Sequence, residues 1–476
     1  MEAAPLTSTT LGALLGATAA EHPERVAVRL DADELTYAEL ARRVRQFSAV
    51  LREQGVEPGD RVAVVLPNVP AFVVAYYAVL HAGGVVIAMN PLLKEREITH
   101  QLADSGAELI VASVLRPDAA EAGARNTGAT CLITADLGLA DLCDGPGIAE
   151  PVPRDGSDIA VMGYTAATTG KPKAAVLTHD NLIGNAGAMR DACRLTVDSV
   201  VLGALPLFHA FGQTCALNAV VAAGACVSLI PRFDPEHVLG VIARDGVTVI
   251  HAVPTMYVAL EQTAATVEHD VSSLKLWISG GAKLRVELLE RVEARFGCEL
   301  REGYGLTETS PVVSFNHPDR PHKPGTVGPA IAGVTLRISA SGEILVRGPN
   351  VMQRYWGQPE ATAAVLDDGW LATGDLGELD EDGFLTITGR CKDLIIRAGY
   401  NVYPAEVELV LREHPAVRDC RVVGVPNDDL GEEVGAAVIL EDGAEITLRE
   451  VRAFVRAEIA TYKCPSQIWF VDELPD

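Results

Sequence analysis

The chain is poor in basic residues, and this shortage limits the partners that it can have. Its 476 residues include 39 lysines and arginines against 64 aspartates and glutamates, which gives a formal net charge of −25. A surface this acidic repels nucleic-acid backbones and anionic membranes. We therefore expect no nucleic acid among its partners, and an anionic ligand would need a local site rich in hydrogen-bond donors.

Disulfide, metal and membrane signals are also missing. The nine cysteines are scattered without a Cys-x-x-Cys pair, so neither a disulfide framework nor a zinc cluster is indicated. Polar residues and a glycine interrupt the apolar stretch 213–230, which predicts a buried helix followed by a buried strand instead of a membrane span. The N-terminus lacks the early basic residues of a signal peptide. We expect a cytoplasmic protein without a membrane span.

What is present is an alternation of helices and strands that is typical of layered α/β proteins. In residues 234–252, Asp234 is a candidate helix N-cap, Pro235 takes the first helical position and Gly246 ends the helix. The apolar run that follows predicts a buried strand. Residues 94–104 predict a second helix that leads into a strand. Repeated units of this kind place helices on both faces of a sheet.

The pattern changes after about residue 330. Residues 335–348 and 383–390 predict short antiparallel strands joined by Ser-Gly and Asp-Gly turns. A smaller unit follows from Arg390 onward, with a helix opened by Pro404. The length of the chain predicts two or three domains, and we expect a boundary near residue 390.

A loop rich in hydroxyl groups, residues 163–179, suggests a function. It combines hydroxyl donors, a glycine that permits close approach and positive charge, supplied by Thr165, Thr168, Thr169, Gly170, Lys171 and Lys173. Together these groups are the parts of a phosphate cradle. The spacing is not that of a Walker loop. Taken alone, the loop is equally compatible with a polar surface turn.

Three further motifs hold charged residues in or beside glycine-containing turns, at residues 303–310, 369–377 and 389–408. The first contains Glu308, and a single carboxylate beside phosphates commonly holds Mg²⁺. The second presents Asp375, and a fixed carboxylate can accept hydrogen bonds from both hydroxyls of a ribose. The third puts Arg390 and Lys392 at the expected domain boundary. Each also has a plainer interpretation, as an exposed acid in a turn or as a solvated charge.

The four motifs, in this order and at these separations, resemble the adenylate-forming superfamily of acyl-CoA synthetases, luciferases and peptide-synthetase adenylation domains. The similarity covers essentially the whole chain, and residues 205–212 and 389–408 are closest to fatty-acyl and related acid–CoA ligases. The resemblance implies an α/β fold with a large N-terminal domain, residues 1–389, made of layered α/β subdomains and a small β-barrel-like subdomain. A small, mobile α+β C-terminal domain, residues 390–476, would be hinged to it.

The resemblance also implies that ATP, Mg²⁺ and CoA bind this chain. The hydroxyl-rich loop would hold the β- and γ-phosphates, Glu308 would ligate Mg²⁺, and Asp375 would hold the ribose with Arg390 beside it. Tyr304 would stack near the adenine, and Thr307 would contact the α-phosphate. The full set of predicted contacts is Thr165, Thr168, Thr169, Gly170, Lys173, Gly280, Gly281, Ala282, Tyr304, Gly305, Thr307, Asp375, Arg390 and Gly399.

A two-step reaction and its catalytic residues follow from the same resemblance. The carboxylate of a small-molecule acid attacks the α-phosphorus of ATP and expels pyrophosphate, and the CoA thiol then attacks the acyl carbon and releases AMP. The small domain of the family rotates between the steps. His209 matches a gate near the carboxylate, Lys392 the hinge, and Gly399 the pantetheine tunnel. The predicted catalytic residues are Thr168, His209, Glu308 and Lys392.

Two features depart from the family pattern. The loop has Ala166-Ala167 where the family usually has Ser-Gly, which removes one donor to phosphate, so weakened handling of ATP is expected. The chain ends at Asp476, just short of the point where the family carries its adenylation lysine, and Lys463 is not assigned that role. We expect either a chain that is truncated relative to the native protein or a form that adenylates slowly.

Three alternatives to an acid–CoA ligase stay open. The acyl group would pass to an acyl carrier protein or another nucleophile, or the chain would be a non-catalytic homologue that binds a nucleotide or an acyl ligand. In the third alternative an unusual acid, organic or inorganic, is activated. The sequence leaves the identity of the acid and the oligomeric state open.

Overall fold

The structure is a computed structural model that describes residues 6, 8–135, 137–143, 145–165, 172–267, 269–390, 394–427 and 429–474. Its α-helices are α1 (Leu11–Glu21), α2 (Tyr37–Glu53), α3 (Pro70–His81), α4 (Glu95–Ser105), α5 (Pro117–Thr127), α6 (His179–Ala192), α7 (Ala219–Ala222), α8 (Pro235–Asp245), α9 (Pro254–Thr263), α10 (Val286–Phe296), α11 (Pro359–Ala363), α12 (Pro404–Arg412) and α13 (Leu448–Glu458). Single 3₁₀ turns cover Ala140–Leu142, Thr307–Thr309 and Thr461–Lys463.

The strands of the large part of the chain are β1 (Val26–Leu30), β2 (Asp33–Thr36), β3 (Arg61–Val65), β4 (Val85–Ala88), β5 (Leu109–Ser113), β6 (Thr130–Thr134), β7 (Ile159–Thr165), β8 (Lys173–Thr178), β9 (Val200–Gly203), β10 (Cys226–Leu229), β11 (Val249–Ala252), β12 (Leu276–Ser279), β13 (Leu300–Gly305) and β14 (Val312–Phe315). Those that follow are β15 (Thr335–Ile338), β16 (Glu343–Arg347), β17 (Arg354–Tyr355), β18 (Leu366–Asp367), β19 (Trp370–Leu379), β20 (Leu385–Arg390), β21 (Ile395–Arg397), β22 (Tyr400–Val402), β23 (Val417–Asn427), β24 (Gly431–Leu440) and β25 (Gln467–Phe470).

The predicted helix boundaries are set by their capping residues. The Asp234 side chain accepts a hydrogen bond from the backbone N–H of His237 at the start of α8, and Gly246 ends that helix with a φ of 63°. Gly106 ends α4 in the same left-handed conformation, with a φ of 65°. Strands β11 and β5 then follow, so both predicted helix–strand units are confirmed.

The apolar stretch 213–230 begins as a π-helix, Gly212–Asn218, which continues into α7 and then into β10. The expected helix and strand are therefore confirmed, but the π-helical start was not predicted. Gly212 has a specific role there, because a Cβ at this position would lie 2.2 Å from the carbonyl oxygen of Pro206. In the described part of the chain, no helix has both the length and the apolar character needed to cross a bilayer.

Two large sheets form the scaffold. The eight-stranded sheet has the order β14–β13–β12–β11–β9–β10–β1–β2, and the seven-stranded sheet has the order β17–β8–β7–β4–β3–β5–β6. The central strands of both sheets are parallel, while antiparallel pairs lie at the edges. Every residue of α3 is buried, as is typical of a helix that is apolar on all sides. The α/β architecture predicted from the sequence is confirmed.

Two smaller sheets follow along the chain. The first is antiparallel, with the order β15–β16–β19–β18 and with β20 paired to β19, and it contains the strands expected after residue 330. The second has the order β22–β21–β24–β23, and β25 pairs with β24 in parallel. Its own apolar core includes Val407, Val434 and Val455, which ties α12 and α13 to this sheet.

Candidate active site

A cleft of about 690 Å³ opens where the strands of both large sheets end. Ligands of open parallel sheets bind outside the carboxyl ends of the strands, which is where this cleft lies. Its wall includes residues at or just beyond the ends of β4, β7, β9, β11, β12 and β13, namely Met89, Thr165, Leu205, Val253, Gly281 and Gly305. The two sheets therefore bring together motifs that are far apart in the sequence.

Glu308 is held in the cleft by two hydroxyl groups. Its Oε1 accepts a hydrogen bond of 2.8 Å from the Tyr355 hydroxyl and one of 3.2 Å from Oγ1 of Thr165. Burial, reinforced by the Glu308 charge, raises the pKa of Tyr355 well above its usual range, so its hydroxyl stays protonated as a donor. The carboxylate is thus oriented by neutral groups, and its other oxygen, Oε2, which has no bond to the described residues, can meet a cation.

Asp375 is the second carboxylate of the cleft, and it is more deeply buried. Its Oδ2 accepts a hydrogen bond of 2.6 Å from the Tyr304 hydroxyl, and its Oδ1 lies 2.8 Å from Nε of Arg390. Asp375 and Arg390 are opposite each other on the antiparallel strands β19 and β20. The hydroxyl and the guanidinium thereby fix the orientation of this carboxylate, and each oxygen retains a lone pair for a further donor.

Glycine is required where two segments of the wall approach each other closely. A Cβ at Gly163 would lie 2.5 Å from Cγ2 of Thr307, so this glycine lets the Glu308 turn pack against β7. Gly399 has a φ of 81°, and a Cβ there would lie 2.8 Å from Cγ2 of Val253. The turn between β21 and β22 is thereby seated against the wall of the cleft.

His209 lies in the cleft with much of its surface exposed to the cavity. The protein around the cleft partly desolvates the imidazole and lowers its pKa, which favours the neutral ring at pH 7. Its Nδ1 accepts a hydrogen bond of 3.3 Å from the backbone N–H of Phe211. The neutral ring therefore carries its proton on Nε2.

A buried ionic cluster joins α4 of the large scaffold to the last sheet. Nζ of Lys463 lies 2.6 Å from Oε1 of Glu97 and 2.7 Å from Oε1 of Glu406. The backbone N–H of Ala460 also donates to Oε2 of Glu97. Burial alone would lower the pKa of Lys463, but Tyr462 and the two carboxylates raise it, so the amine stays charged. No sequence signal linked Glu97 with Lys463, which are 366 positions apart.

The structure brings ten of the predicted site residues to one cleft: Thr165, Lys173, His209, Gly281, Gly305, Thr307, Glu308, Asp375, Arg390 and Gly399. Tyr304 contacts Asp375 at the edge of this group, and Gly280 and Ala282 flank Gly281 without lining the cavity. The predicted residues Thr168, Thr169, Gly170, Lys171 and Lys392, and the pair Ala166-Ala167, lie outside the described residues. Tyr355, a donor to Glu308, was not predicted, because it comes from the edge strand β17, which has no motif of its own.

With this geometry in place, the comparison with known families is decisive. Residues 15–356 match the family described as AMP-binding enzyme, and residues 406–476 match its C-terminal domain. The chain belongs to the AMP-binding enzyme family. The predicted membership of the adenylate-forming superfamily is confirmed.

Relatives of this AMP-binding enzyme extend over almost the whole chain. A long-chain-fatty-acid–CoA ligase from Bacillus subtilis is 36% identical, covering 99% of this chain and 92% of the relative. A feruloyl-CoA synthase from Amycolatopsis is 39% identical, covering 95% of this chain and 93% of the relative. The structure of o-succinylbenzoate CoA synthetase from Bacillus subtilis, bound to a product analogue, is 31% identical and superimposes with a TM-score of 0.87, covering 97% of this chain and 95% of that one.

Proposed function

We propose that this AMP-binding enzyme is an ATP-dependent acid–CoA ligase that works through an acyl-adenylate. The observation that carries the proposal is that one cleft contains all the charged and polar groups that this chemistry needs. These are Glu308, Asp375, Arg390, Thr165 and His209. Polar groups for a nucleotide and a neutral gate residue thereby lie beside apolar walls that suit an acyl group. The similarity to acid–CoA ligases over nearly the full length supports the same function.

In the first step, the carboxylate oxygen of the acid attacks the α-phosphorus of ATP and pyrophosphate leaves. Asp375 would accept hydrogen bonds from the ribose and Thr307 would contact the α-phosphate, so that the reacting atoms are aligned. Thr165 and Lys173 would contact the outer phosphates together with the loop residues Thr168, Thr169 and Gly170. Tyr304 would lie near the adenine, next to Gly280, Gly281, Ala282 and Gly305.

The residues present fit a magnesium ion. Glu308 offers a carboxylate that is oriented by the hydroxyls of Thr165 and Tyr355, and Mg²⁺ is commonly held by one or two carboxylates together with substrate phosphates and water. When bound there, the ion would neutralise charge on the phosphates. Glu308 would hold the ion at the cleft wall, with its carboxylate fixed by the Tyr355 hydroxyl.

In the second step, the thiol of CoA attacks the acyl carbon and AMP leaves. His209 would act as the gate for the acyl carbon, and Gly399 would line the path of the pantetheine arm. We propose a division into residues 1–389 and 390–476, with Lys392 at the hinge, so that the small domain moves between the two steps. Because ATP and CoA are the co-substrates, we place the enzyme in the cytoplasm.

The natural acid is expected to be a carboxylic acid with a long apolar or aromatic body. The two relatives described above are named for a long-chain fatty acid and for ferulate, and both acids fit this description. The apolar part of the wall, which includes Met89, Leu205, Val253 and Met256, suits such a body.

The proposal is tested by acid-dependent ATP–pyrophosphate exchange, followed by thioester formation with CoA. A panel of fatty, hydroxycinnamic and small acids should include at least one that supports exchange and then yields an acyl-CoA. Exchange without an acyl-CoA would point to transfer to a carrier protein or another nucleophile. Binding of ATP without exchange for any acid would favour a non-catalytic binding protein and contradict the proposal.

A further inference from the structure

The cleft has an apolar part that is built by both large sheets. Its wall includes Ala88 at the end of β4, Val161 in β7 and Leu177 in β8, and all three side chains are almost completely buried. Leu205, just beyond β9, belongs to the other sheet and lines the same space. A ligand with an apolar body would be enclosed between the sheets here.

Gln213 is a buried polar side chain of the same cleft wall. Gln213 lines the cleft, is only 2% exposed and occupies the second position of the π-helix Gly212–Asn218. Among the described residues its Oε1 has no hydrogen-bond partner. Buried polar groups are nearly always bonded, so an unpartnered carboxamide oxygen at a cavity wall can take its partner from a ligand.

The other polar side chains of the same π-helix are bonded within the protein. Oγ1 of Thr214 donates to the carbonyl of Ser310 at 2.7 Å, and the Asn218 amide is bonded to the hydroxyls of Tyr76 and Tyr77. The segment therefore satisfies the polar groups that face the protein, while the oxygen of Gln213, at the cleft wall, is left without a partner in the described part of the chain. π-helical turns often occur at functional sites.

We propose that Gln213 is a specificity-determining residue that hydrogen-bonds an oxygen substituent on the acyl group, so that the preferred acid carries a hydroxyl or carbonyl oxygen in addition to its carboxylate. This inference rests on the ligase function proposed above. A carboxamide can both donate and accept, and it can therefore bond either kind of oxygen. A site built to bond such a group discriminates against the analogue that lacks it.

The position of Gln213 indicates how far the oxygen substituent lies from the carboxylate of the acid. Its backbone N–H donates to the carbonyl of His209 at 3.0 Å, so the two residues are one helical turn apart. One turn advances roughly 5 Å along a helix axis. The oxygen is therefore expected within the first part of the acyl group and not at the far end of a long chain.

The test uses acyl-sulfamoyl adenosines, which mimic acyl-adenylates and need no turnover. Two matched pairs are measured by isothermal titration calorimetry: 4-hydroxycinnamoyl against cinnamoyl, and 3-hydroxydecanoyl against decanoyl. The wild-type chain should bind the oxygenated member of at least one pair roughly tenfold to 100-fold more tightly. Gln213→Leu, and Gln213→Met as a variant of closer length, should remove this preference while keeping the affinity for the plain member.

A matched control is available at Gln101 on α4. This side chain is also buried and lines the cleft, and its Oε1 has no partner among the residues that the structure describes. It lies one helical turn from Glu97, where α4 contacts the last sheet. Gln101→Leu should leave the ratio of affinities within each pair unchanged.

Equal affinities within both pairs, or a preference that survives in both Gln213 variants, would overturn the assignment of Gln213. Failure of all four compounds to bind would overturn the ligase function itself. The two failures are therefore distinguishable.

Discussion

The molecule holds two pairs of carboxylates in opposite ways. Glu308 and Asp375 in the cleft are bonded mainly by hydroxyls and by one arginine that is partly exposed. Glu97 and Glu406 in the seam between α4 and the last sheet share one buried ammonium, Lys463, as their common partner.

This difference distinguishes carboxylates that can bind a ligand from carboxylates that attach one part of the chain to another. Hydroxyl donors orient a carboxylate without cancelling its charge, so the carboxylates of the cleft can still attract a cation or bond a ribose. A buried ammonium that is shared by two carboxylates neutralises much of their charge and fixes two segments against each other. The first arrangement suits a ligand, and the second suits the attachment of one part of the chain to another.

The largest effect should come from breaking the seam. Lys463→Met leaves Glu97 and Glu406 close together without their cation, and loss of one partner of a buried ion pair typically costs roughly 3–5 kcal/mol. We expect a lower free energy of unfolding, measured by urea denaturation, and faster proteolysis between the last sheet and the rest.

The matched control is Arg96, which pairs with Glu413 across the same two elements but is partly exposed. Arg96→Leu should cost less than about 1 kcal/mol. Equal losses in the two variants would show that the buried cluster has no special part in docking.

Glu308→Gln tests whether the cleft needs the negative charge of Glu308. The variant keeps the size of the side chain and can still accept from Tyr355, but it removes the negative charge. We expect acid-dependent pyrophosphate exchange to fall roughly 100- to 1000-fold, with little change in the unfolding midpoint. If the variant instead unfolds much more easily but keeps normal pyrophosphate exchange per folded molecule, Glu308 has a structural role like that of Glu97 and Glu406.

Glu302 provides a third kind of carboxylate, which is buried and has no ion-pair partner within the described ranges. Burial raises its pKa from 4.5 to about 7, although its Oε1 accepts from the backbone N–H of Leu284. Between pH 4.5 and 7 the folded chain therefore holds a proton that the unfolded chain has lost, and the free energy of unfolding falls as the pH rises. The loss should approach roughly 3 kcal/mol above pH 7.

Urea denaturation of the wild type and of Glu302→Gln at pH 5 and pH 8 measures this loss. The glutamine has no proton to lose, so the variant should lack this part of the pH dependence. Identical pH dependence in the two proteins would rule out Glu302 as its source.

The smallest effect is expected for Tyr355→Phe. The change removes one of the two hydroxyl donors to Glu308 and leaves Thr165 in place. We expect pyrophosphate exchange to fall roughly tenfold to 100-fold, in line with the loss of one hydrogen bond to a charged group. The sharper measurement is the Mg²⁺ concentration needed for half-maximal exchange, which should rise. An unchanged Mg²⁺ dependence would mean that Tyr355 does not orient the carboxylate.

Much of the fold could be predicted from local sequence signals. Asp234 and Gly246 mark the ends of α8 because capping and left-handed termination depend on neighbouring residues alone. The switch to antiparallel strands after residue 330 was likewise visible in turn dipeptides and short alternating runs. The π-helix at Gly212–Asn218 could not be predicted from local signals, because it depends on the close approach of Gly212 to Pro206.

The sequence by itself determined the family and the types of residue that carry the proposed chemistry. Glu308, Asp375 and Arg390 stand in motifs whose order and spacing were sufficient for that purpose. Only the tertiary structure decided which side chains bond the four carboxylates. The partners are Tyr355 for Glu308, Tyr304 for Asp375, and Lys463 for Glu97 and Glu406. The physical reason is distance along the chain. A cap or a turn is fixed by adjacent residues, whereas these bonds join segments that meet only after the sheets have formed.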